Sequence, residues 1–207
     1  MTDNMMLARA WQIQSMLIGY PDENLHERAD LLRQAAASLP GSVGGPLLRF
    51  LDHLAAAAPA ELAAEYVATF DHRKRCCLYL TYYAHGDTRN RGMALLELKQ
   101  TYAVAGLKLT DEELPDHLAV VLEYAAIDPG AGLALLVAHR AGLELLRLAL
   151  HDATSPWAGI LDAISATLPP LIGDQRTAVA RLAAQGPPAE QVGLTPYALP
   201  HPEGVPR

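Results

Sequence analysis

The apolar residues between Pro129 and His151 recur at helical spacing, and this stretch constrains the fold more than any other part of the chain. Two neighbouring apolar rows run along it: Leu136, Leu143, Leu146 and Leu150, and Leu135, Gly142, Leu145 and Ala149. Its polar stripe is narrow: Arg140, Glu144, Arg147 and His151. Helical spacing lets Glu144 pair with both arginines. Because so wide an apolar face needs other helices to cover it, the stretch predicts a central helix of a bundle.

The same periodicity predicts helices along most of the chain, including one that starts at Asp22 as its N-cap. Pro40–Gly45 is interpreted as a turn, and CCLYLTYY as helix or irregular chain rather than a strand. A chain of 207 residues suits one core. We therefore predict an all-α, single-domain helical bundle over residues 1–185. Residues 186–207 are dense in Pro and Gly, which predicts a flexible tail.

The charge of the chain is acidic overall, with a formal net value of -7. This argues against nucleic-acid binding, which needs a basic face. The N-terminus carries no signal-peptide pattern, and no apolar run reaches the roughly 18 residues that cross a bilayer. We expect a cytoplasmic protein without membrane insertion. Cys76 and Cys77 are adjacent and are interpreted as reduced thiols, with metal-cluster handling as the alternative.

The segment from Asp71 to Gly92 does not look like an ordinary amphipathic helix, because basic, aromatic and Cys residues are mixed within it. The run from His72 to Arg75 can attract an acidic partner. Three tyrosines follow, and such rigid amphipathic side chains are enriched at interfaces. The alternative is a solvated basic loop followed by tyrosines of the core.

A second unusual stretch runs from Thr110 to His117. Thr110 and Glu113 fit a capping box, but Pro115 conflicts with a helix that starts there. We expect a short turn and then a new helix with Pro115 in its first turn. Asp116 and His117 would then lie near a helix N-terminus, where free N–H groups favour an anion. The alternative makes Asp116 a partner of the helix dipole and His117 an exposed residue.

Motifs of common enzymes are missing from the sequence: there is no GxxxxGK[ST], GxSxG or HExxH, and no ExxH on a predicted helix. A metal-dependent enzyme is therefore a weak interpretation. An enzyme acting on a phosphorylated small molecule stays open, with His72 or His117 as acid–base and the arginines as a clamp. A structural subunit with a large permanent interface is also open.

The two unusual stretches carry a family resemblance. DHRKRCCLYLTYYAHGDTRNRGMALL and ELPDHLAVVLEYAA resemble the NarJ-type nitrate reductase assembly chaperones, within a wider group that includes TorD and DmsD. The resemblance covers roughly Leu7 to Leu168. It implies an all-helical domain without catalytic activity that binds the N-terminal segment of the catalytic (alpha) subunit of respiratory nitrate reductase.

Such a chaperone keeps the apo-subunit competent for molybdenum cofactor insertion and complex assembly. The resemblance implies no stably bound cofactor, only transient contact with molybdenum cofactor on the client. Cofactor-biosynthesis proteins are further implied partners.

The wider group carries a Glu-Pro-x-Asp-His type motif. Its counterparts here are Glu113, Pro115, Asp116 and His117, with Leu114 inserted between Glu and Pro and no spacer before Asp116. We expect Tyr79, Tyr82, Tyr83 and Leu118 to line a peptide groove. Its affinity and register would be set by Arg73, Arg75, Asp116 and His117. Asp71 and Arg89 complete the predicted partner-binding set.

Overall fold

A computed structural model describes residues 3–110 and 113–186, and twelve α-helices dominate that part of the chain. They are α1 (Asp3–Ile18), α2 (Glu23–Glu27), α3 (Ala29–Ala37), α4 (Gly41–Ala56), α5 (Pro59–Phe70), α6 (Leu80–His85), α7 (Arg89–Val104), α8 (Leu118–Ile127), α9 (Pro129–Ala138), α10 (Arg140–Asp152), α11 (Ala158–Ala166) and α12 (Gly173–Gln185). A 3-10 turn, Lys74–Cys76, precedes α6. The described residues contain no β-strand, which confirms the all-α prediction.

Helices from the two ends of the described chain pack together in the core. Helix α1 packs against α8 and α11, while α11 also packs against α4 and α10. The indole of Trp11 is buried in α1 and donates a hydrogen bond to the Thr167 hydroxyl at 2.9 Å. The ring of Trp157 is fully buried among three aromatic rings, with centroid distances of 5.5 to 5.6 Å: Phe50, Tyr66 and Phe70.

The predicted long helix from Pro129 to His151 is in fact two helices, α9 and α10, which meet at His139. The bend lets each half contact different neighbours, because α9 packs on α8 and α10 packs on α11 and α12. Close approach between α8 and α9 depends on Gly132, where an added Cβ would overlap Ala125. The helical periodicity was predicted correctly, but the single continuous helix was wrong.

The predicted turn at Pro40–Gly45 is also wrong, since α4 begins at Gly41 and includes Pro46. Gly44 serves packing instead, because a Cβ there would overlap the carbonyl oxygen of Ala36 at the end of α3. The helix predicted after Asp22 divides at Arg28 into α2 and α3. Asp22 is the N-cap as predicted, accepting the Leu25 N–H at 2.9 Å.

The polar stripe of α10 forms a buried ionic network. The Glu144 carboxylate forms ion pairs with Arg140 at 2.9 Å and with Arg147 at 2.8 Å, which confirms the predicted pairing. The Ser165 hydroxyl of α11 donates to the same carboxylate at 2.8 Å. Burial lowers the pKa of Arg140, and the neighbouring Glu144 carboxylate opposes that shift. The network therefore fixes α10 against α11.

The chain beyond α12 is only partly described. Gly186 ends α12 with a φ of 73°, a left-handed conformation that suits glycine. The remainder of the predicted flexible tail, 187–207, lies outside the described residues. Among the residues that are described, no helix combines the length and the apolar character that crossing a bilayer requires.

Candidate functional site

The two unusual stretches of the sequence meet in the structure. The backbone from Cys77 to Tyr79 is extended, and it runs antiparallel to the residues just before α8. The Leu80 N–H donates to the carbonyl of Asp116, and the Leu118 N–H donates to the carbonyl of Leu78, both at 2.9 Å. The start of α6 and the start of α8 therefore form one hydrogen-bonded unit.

Asp116 lies at the centre of this unit and is completely buried. Its carboxylate accepts hydrogen bonds from the Thr81 hydroxyl and from the Thr81 backbone N–H, the latter at 3.3 Å. The Arg91 guanidinium lies 3.6 Å from the same carboxylate oxygen and also donates to the Thr81 hydroxyl at 3.3 Å. Asp116 thus ties the turn before α8 to the first turn of α6 and to α7.

His117 precedes α8 as its N-cap, so it lies near the helix N-terminus as predicted, but two details of the predictions need correction. Pro115 lies in a turn before the helix, not in its first turn, and its carbonyl accepts the Tyr102 hydroxyl at 2.8 Å. The His117 ring is buried rather than exposed. It packs edge-on against the Tyr79 ring, with centroids 5.4 Å apart, and its Nδ1 lies 4.0 Å from the Glu113 carboxylate.

Burial lowers the pKa of His117, although the Glu113 and Asp116 carboxylates oppose the shift. The neutral ring is therefore favoured in the fold, and the unfolded chain binds the proton more readily. The neutral ring adds stability to the fold above the unfolded-state pKa of about 6.5. This added stability is lost as the pH falls through the lower pKa that His117 has in the folded state.

We expect the melting temperature to fall as the pH is lowered from about 7 to about 5, and to fall less in His117→Asn. Asparagine suits the N-cap position, where the His117 side chain makes no cap hydrogen bond, and it does not titrate. Thermal unfolding of both proteins across this range measures the difference in slope. Burial also lowers the pKa of His139, so some dependence on pH should remain in the variant. If the melting temperatures of the two proteins fell equally with pH, protonation of His117 would not destabilise the fold.

Two residues predicted to line the groove are largely interior, although Tyr83 also borders a cavity beside α10. Leu118 is fully buried, and Tyr83 is 3% exposed. The Tyr83 hydroxyl hydrogen-bonds the carbonyls of Arg75 at 3.1 Å and Cys77 at 2.9 Å, while its ring packs against Gly142 of α10. A Cβ at Gly142 would lie 2.8 Å from the Tyr83 Cβ. Asp116, Leu118 and most of Tyr83 therefore lie inside the fold.

A groove of about 420 Å³ opens between the 3-10 turn, α6, α10 and α12. One edge is formed by Lys74, Arg75 and Tyr82, of which the two basic residues are exposed and Tyr82 is half-buried. The floor is mostly apolar, with Leu145, Leu148 and Ala149 of α10 and Tyr83, and Asp152 lies at its end. The last residues of α12, Leu182–Gly186, form the opposite edge. We call this cavity the α10 groove.

A second cavity of about 380 Å³ continues the basic edge of the α10 groove. Arg73, Lys74 and Arg75 line it together with Asp152 at the end of α10. The basic run that the sequence singled out thus faces the C-terminal half of α10. The contribution of α10 and α12 was missed, although the second apolar row of the sequence already contained Leu145 and Ala149.

The other predicted residues lie apart from the α10 groove. Tyr79 is half-buried on the His117 side, where the Arg91 guanidinium lies 5.5 Å from the centre of its ring. Asp71, at the end of α5, and Arg89, at the start of α7, are both exposed. The predicted set therefore divides between two faces. Their binding of a partner stays a prediction.

The two cysteines are free thiols. Cys76 is buried and Cys77 is half-buried, and burial raises the pKa of both thiols. A raised pKa favours the protonated form, which is a poor nucleophile and a poor metal ligand. Within the described residues, no three His, Cys, Asp or Glu side chains are grouped as a metal site.

Comparison with protein families gives a match over residues 27–162 to the model described as "Nitrate reductase delta subunit". A nitrate reductase-like protein NarX of Mycobacterium tuberculosis (strain ATCC 25618 / H37Rv) is 40% identical over 158 residues, covering 76% of this chain and 24% of that protein. The probable nitrate reductase molybdenum cofactor assembly chaperone NarJ of Bacillus subtilis is 41% identical over 117 residues, covering 54% and 61%.

The NarJ chaperone of Escherichia coli (strain K12), named for the same cofactor assembly, is 37% identical over 117 residues, covering 55% and 50%. This chain thus spans less than two thirds of the length of each of these relatives. The crystal structure of a putative redox enzyme maturation protein from Archaeoglobus fulgidus has the same fold. It superposes with a TM-score of 0.59 at 21% identity, over 77% of this chain and 91% of that one.

Proposed function

Because this chain belongs to the nitrate reductase delta subunit family, we propose that it is an assembly chaperone and not an enzyme. Its client is the apo form of the catalytic (alpha) subunit of a respiratory nitrate reductase. The chaperone binds the N-terminal segment of that subunit and keeps it competent for molybdenum cofactor insertion and complex assembly. The proposal is supported by two relatives named as nitrate reductase molybdenum cofactor assembly chaperones, one of them as probable. They are 41% and 37% identical over 117 residues.

The observation that carries this proposal is the α10 groove. Its apolar floor and half-buried Tyr82 suit the apolar face of an amphipathic helix, a common way of binding a peptide. Its edge carries Lys74 and Arg75, which form no ion pair within the described residues. These cations favour a client segment with an acidic residue beside its apolar face.

An enzyme that handles a small phosphorylated molecule fits this geometry less well. Such a site needs a histidine and cations that converge on one cavity. His72 and His117 line neither the α10 groove nor the cavity beside it. Arg91, which lies over the Tyr79 ring beside His117, is already paired with Asp87 and Asp116. The acid–base and clamp residues of that alternative are therefore not brought together.

The molybdenum cofactor is cargo of the client in this proposal. The chaperone holds no cofactor stably and contacts it only transiently, while it is inserted into the catalytic subunit. Proteins of cofactor biosynthesis are then further partners, because they deliver the cofactor to the same complex. The chaperone acts in the cytoplasm, before the assembled enzyme reaches the membrane.

Calorimetric titration with a peptide copying the N-terminus of the catalytic subunit tests the proposal. We expect saturable binding at micromolar affinity or tighter, weakened about tenfold in Tyr82→Ala because an aromatic wall of the groove is lost. The melting temperature should change little, since Tyr82 is only half-buried.

Tyr20→Ala is the matched control, because Tyr20 is 57% exposed and does not line the groove. A large loss of stability with unchanged affinity would make Tyr82 a residue of the core. Failure of both the peptide and the apo-subunit to bind would contradict the chaperone function. Turnover of a phosphorylated substrate would then favour the enzyme.

A further inference from the structure

Helix α12 packs on α10 but buries none of its own described residues fully. Each of the other eleven helices has at least one buried residue, but among the described residues α12 has none. Its contact side is one half-buried stripe at helical spacing: Gln175, Ala178, Val179 and Leu182. Of these, Leu182 packs against the main core. This helix is held mainly by one apolar side chain.

Helix α12 packs on α10 beside the residues that form the floor of the α10 groove. Leu145, Leu148 and Ala149 lie on α10, and Leu148 stays 43% exposed with α12 in place. The last turn of α12 forms one edge of the same groove. A helix of this chain with a half-buried apolar stripe thus occupies part of the α10 surface next to the place where a client helix would bind.

The connection before α12 can let it move as a unit. Helix α11 ends at Ala166, and Pro169-Pro170 follow. Neither proline has a backbone N–H to donate. The hydrogen bonds described for the Leu171 and Ile172 carbonyls lead to Arg176 and Gln175 of α12 itself. No described backbone hydrogen bond therefore anchors residues 169–172 to the bundle.

We propose that α12 is a displaceable cover, and that the amphipathic helix of the client replaces it on α10. The proposal rests on the chaperone function argued above and adds how that site is regulated. The client helix would carry leucine-sized residues toward Leu145 and Leu148, and an acidic residue toward Lys74 or Arg75. The groove end of α12 has no acidic residue, since its last turn is Leu-Ala-Ala-Gln. A client that supplies one gains an ion pair that α12 lacks.

Displacement makes a quantitative prediction. A site that is open only part of the time binds with an affinity reduced by the open fraction. Leu182→Ala removes the main apolar anchor of α12 and should raise the open fraction. We expect the calorimetric Kd for the client peptide to fall about fivefold. Losing a half-buried leucine should shift the equilibrium toward the open groove by a factor of about five to ten. Arg181→Ala, at an exposed neighbouring position, should leave the Kd unchanged.

Hydrogen exchange gives a second readout on the full-length wild-type chain. Amides of α12 should exchange faster when the peptide is bound, while those of α1 and α8 should not. Weaker peptide binding by Leu182→Ala would overturn the proposal and make α12 a wall that contacts the client. Tight wild-type binding with unchanged exchange in α12 would place the client elsewhere and leave the chaperone function standing. Absence of any peptide binding would instead contradict the chaperone function itself.

Discussion

Replacing Asp116 with alanine is expected to lower the free energy of unfolding by about 3 kcal/mol, measured by urea denaturation. The fully buried carboxylate accepts the Thr81 hydroxyl and N–H and lies 3.6 Å from the Arg91 guanidinium. Its removal leaves a buried backbone donor and a partly buried cation without their partner. The loss should be large because α6, α7 and the turn before α8 all meet at this carboxylate.

Asp87→Ala is the matched control, because it removes a carboxylate from the same guanidinium. Asp87 lies 3.3 Å from Arg91, but its side chain is 80% exposed. An exposed ion pair contributes little, so we expect a loss below about 0.5 kcal/mol. The folded fraction of Asp116→Ala should still bind the client peptide. Lost affinity with intact stability would contradict this assignment and make Asp116 a contact residue.

The sequence identified the chemistry of the site better than its geometry. Tyr79, Tyr82 and Tyr83 were predicted as one surface, but they lie in two backbone conformations. Tyr79 belongs to the extended segment, while Tyr82 and Tyr83 are neighbours on α6 and point in different directions. Tyr83 turns inward because Gly142 of α10 leaves room for its ring. No pattern within the segment itself could indicate that distant glycine.

The helical class followed directly from periodicity, whereas the helix boundaries did not. No Gly or Pro lies between residues 133 and 141, so nothing at His139 itself marks the bend between α9 and α10. The error at Pro40–Gly45 has the opposite origin. Gly and Pro usually indicate a turn, but Gly44 is needed for the close approach of α3 to α4. Both errors arise where tertiary packing outweighs local preference.

The sequence signal for the α10 groove was the wide apolar face of the stretch from Pro129 to His151. The stretch predicted as a central helix has a wider apolar face than its core contacts require, and Leu148 remains exposed. Sequence periodicity cannot separate apolar residues that pack in the core from those that await a partner. The basic run at Arg73–Arg75 was the better signal, because it lies against this same part of α10.

Glu144→Ala is expected to cost about 3 to 5 kcal/mol of unfolding free energy, since it breaks a buried ionic network. The Glu144 side chain is 5% exposed and that of Arg140 6%, so the arginine would be left buried with an uncompensated charge. The Ser165 hydroxyl would lose its acceptor as well. Because this network fixes α10 against α11, the floor of the α10 groove should loosen with it.

Asp52→Ala provides the contrast, because Asp52 also pairs with an arginine, at 2.7 Å, but with side chains 67% and 38% exposed. That substitution should cost less than about 1 kcal/mol. Equilibrium unfolding in urea compares the two variants with the parent chain, and peptide titration under native conditions reports on the groove. A loss below about 1 kcal/mol for Glu144→Ala would mean that water reaches Arg140 when the carboxylate is gone. The contact between α10 and α11 would then depend on its apolar residues, with the ionic network serving only to set the orientation of α10.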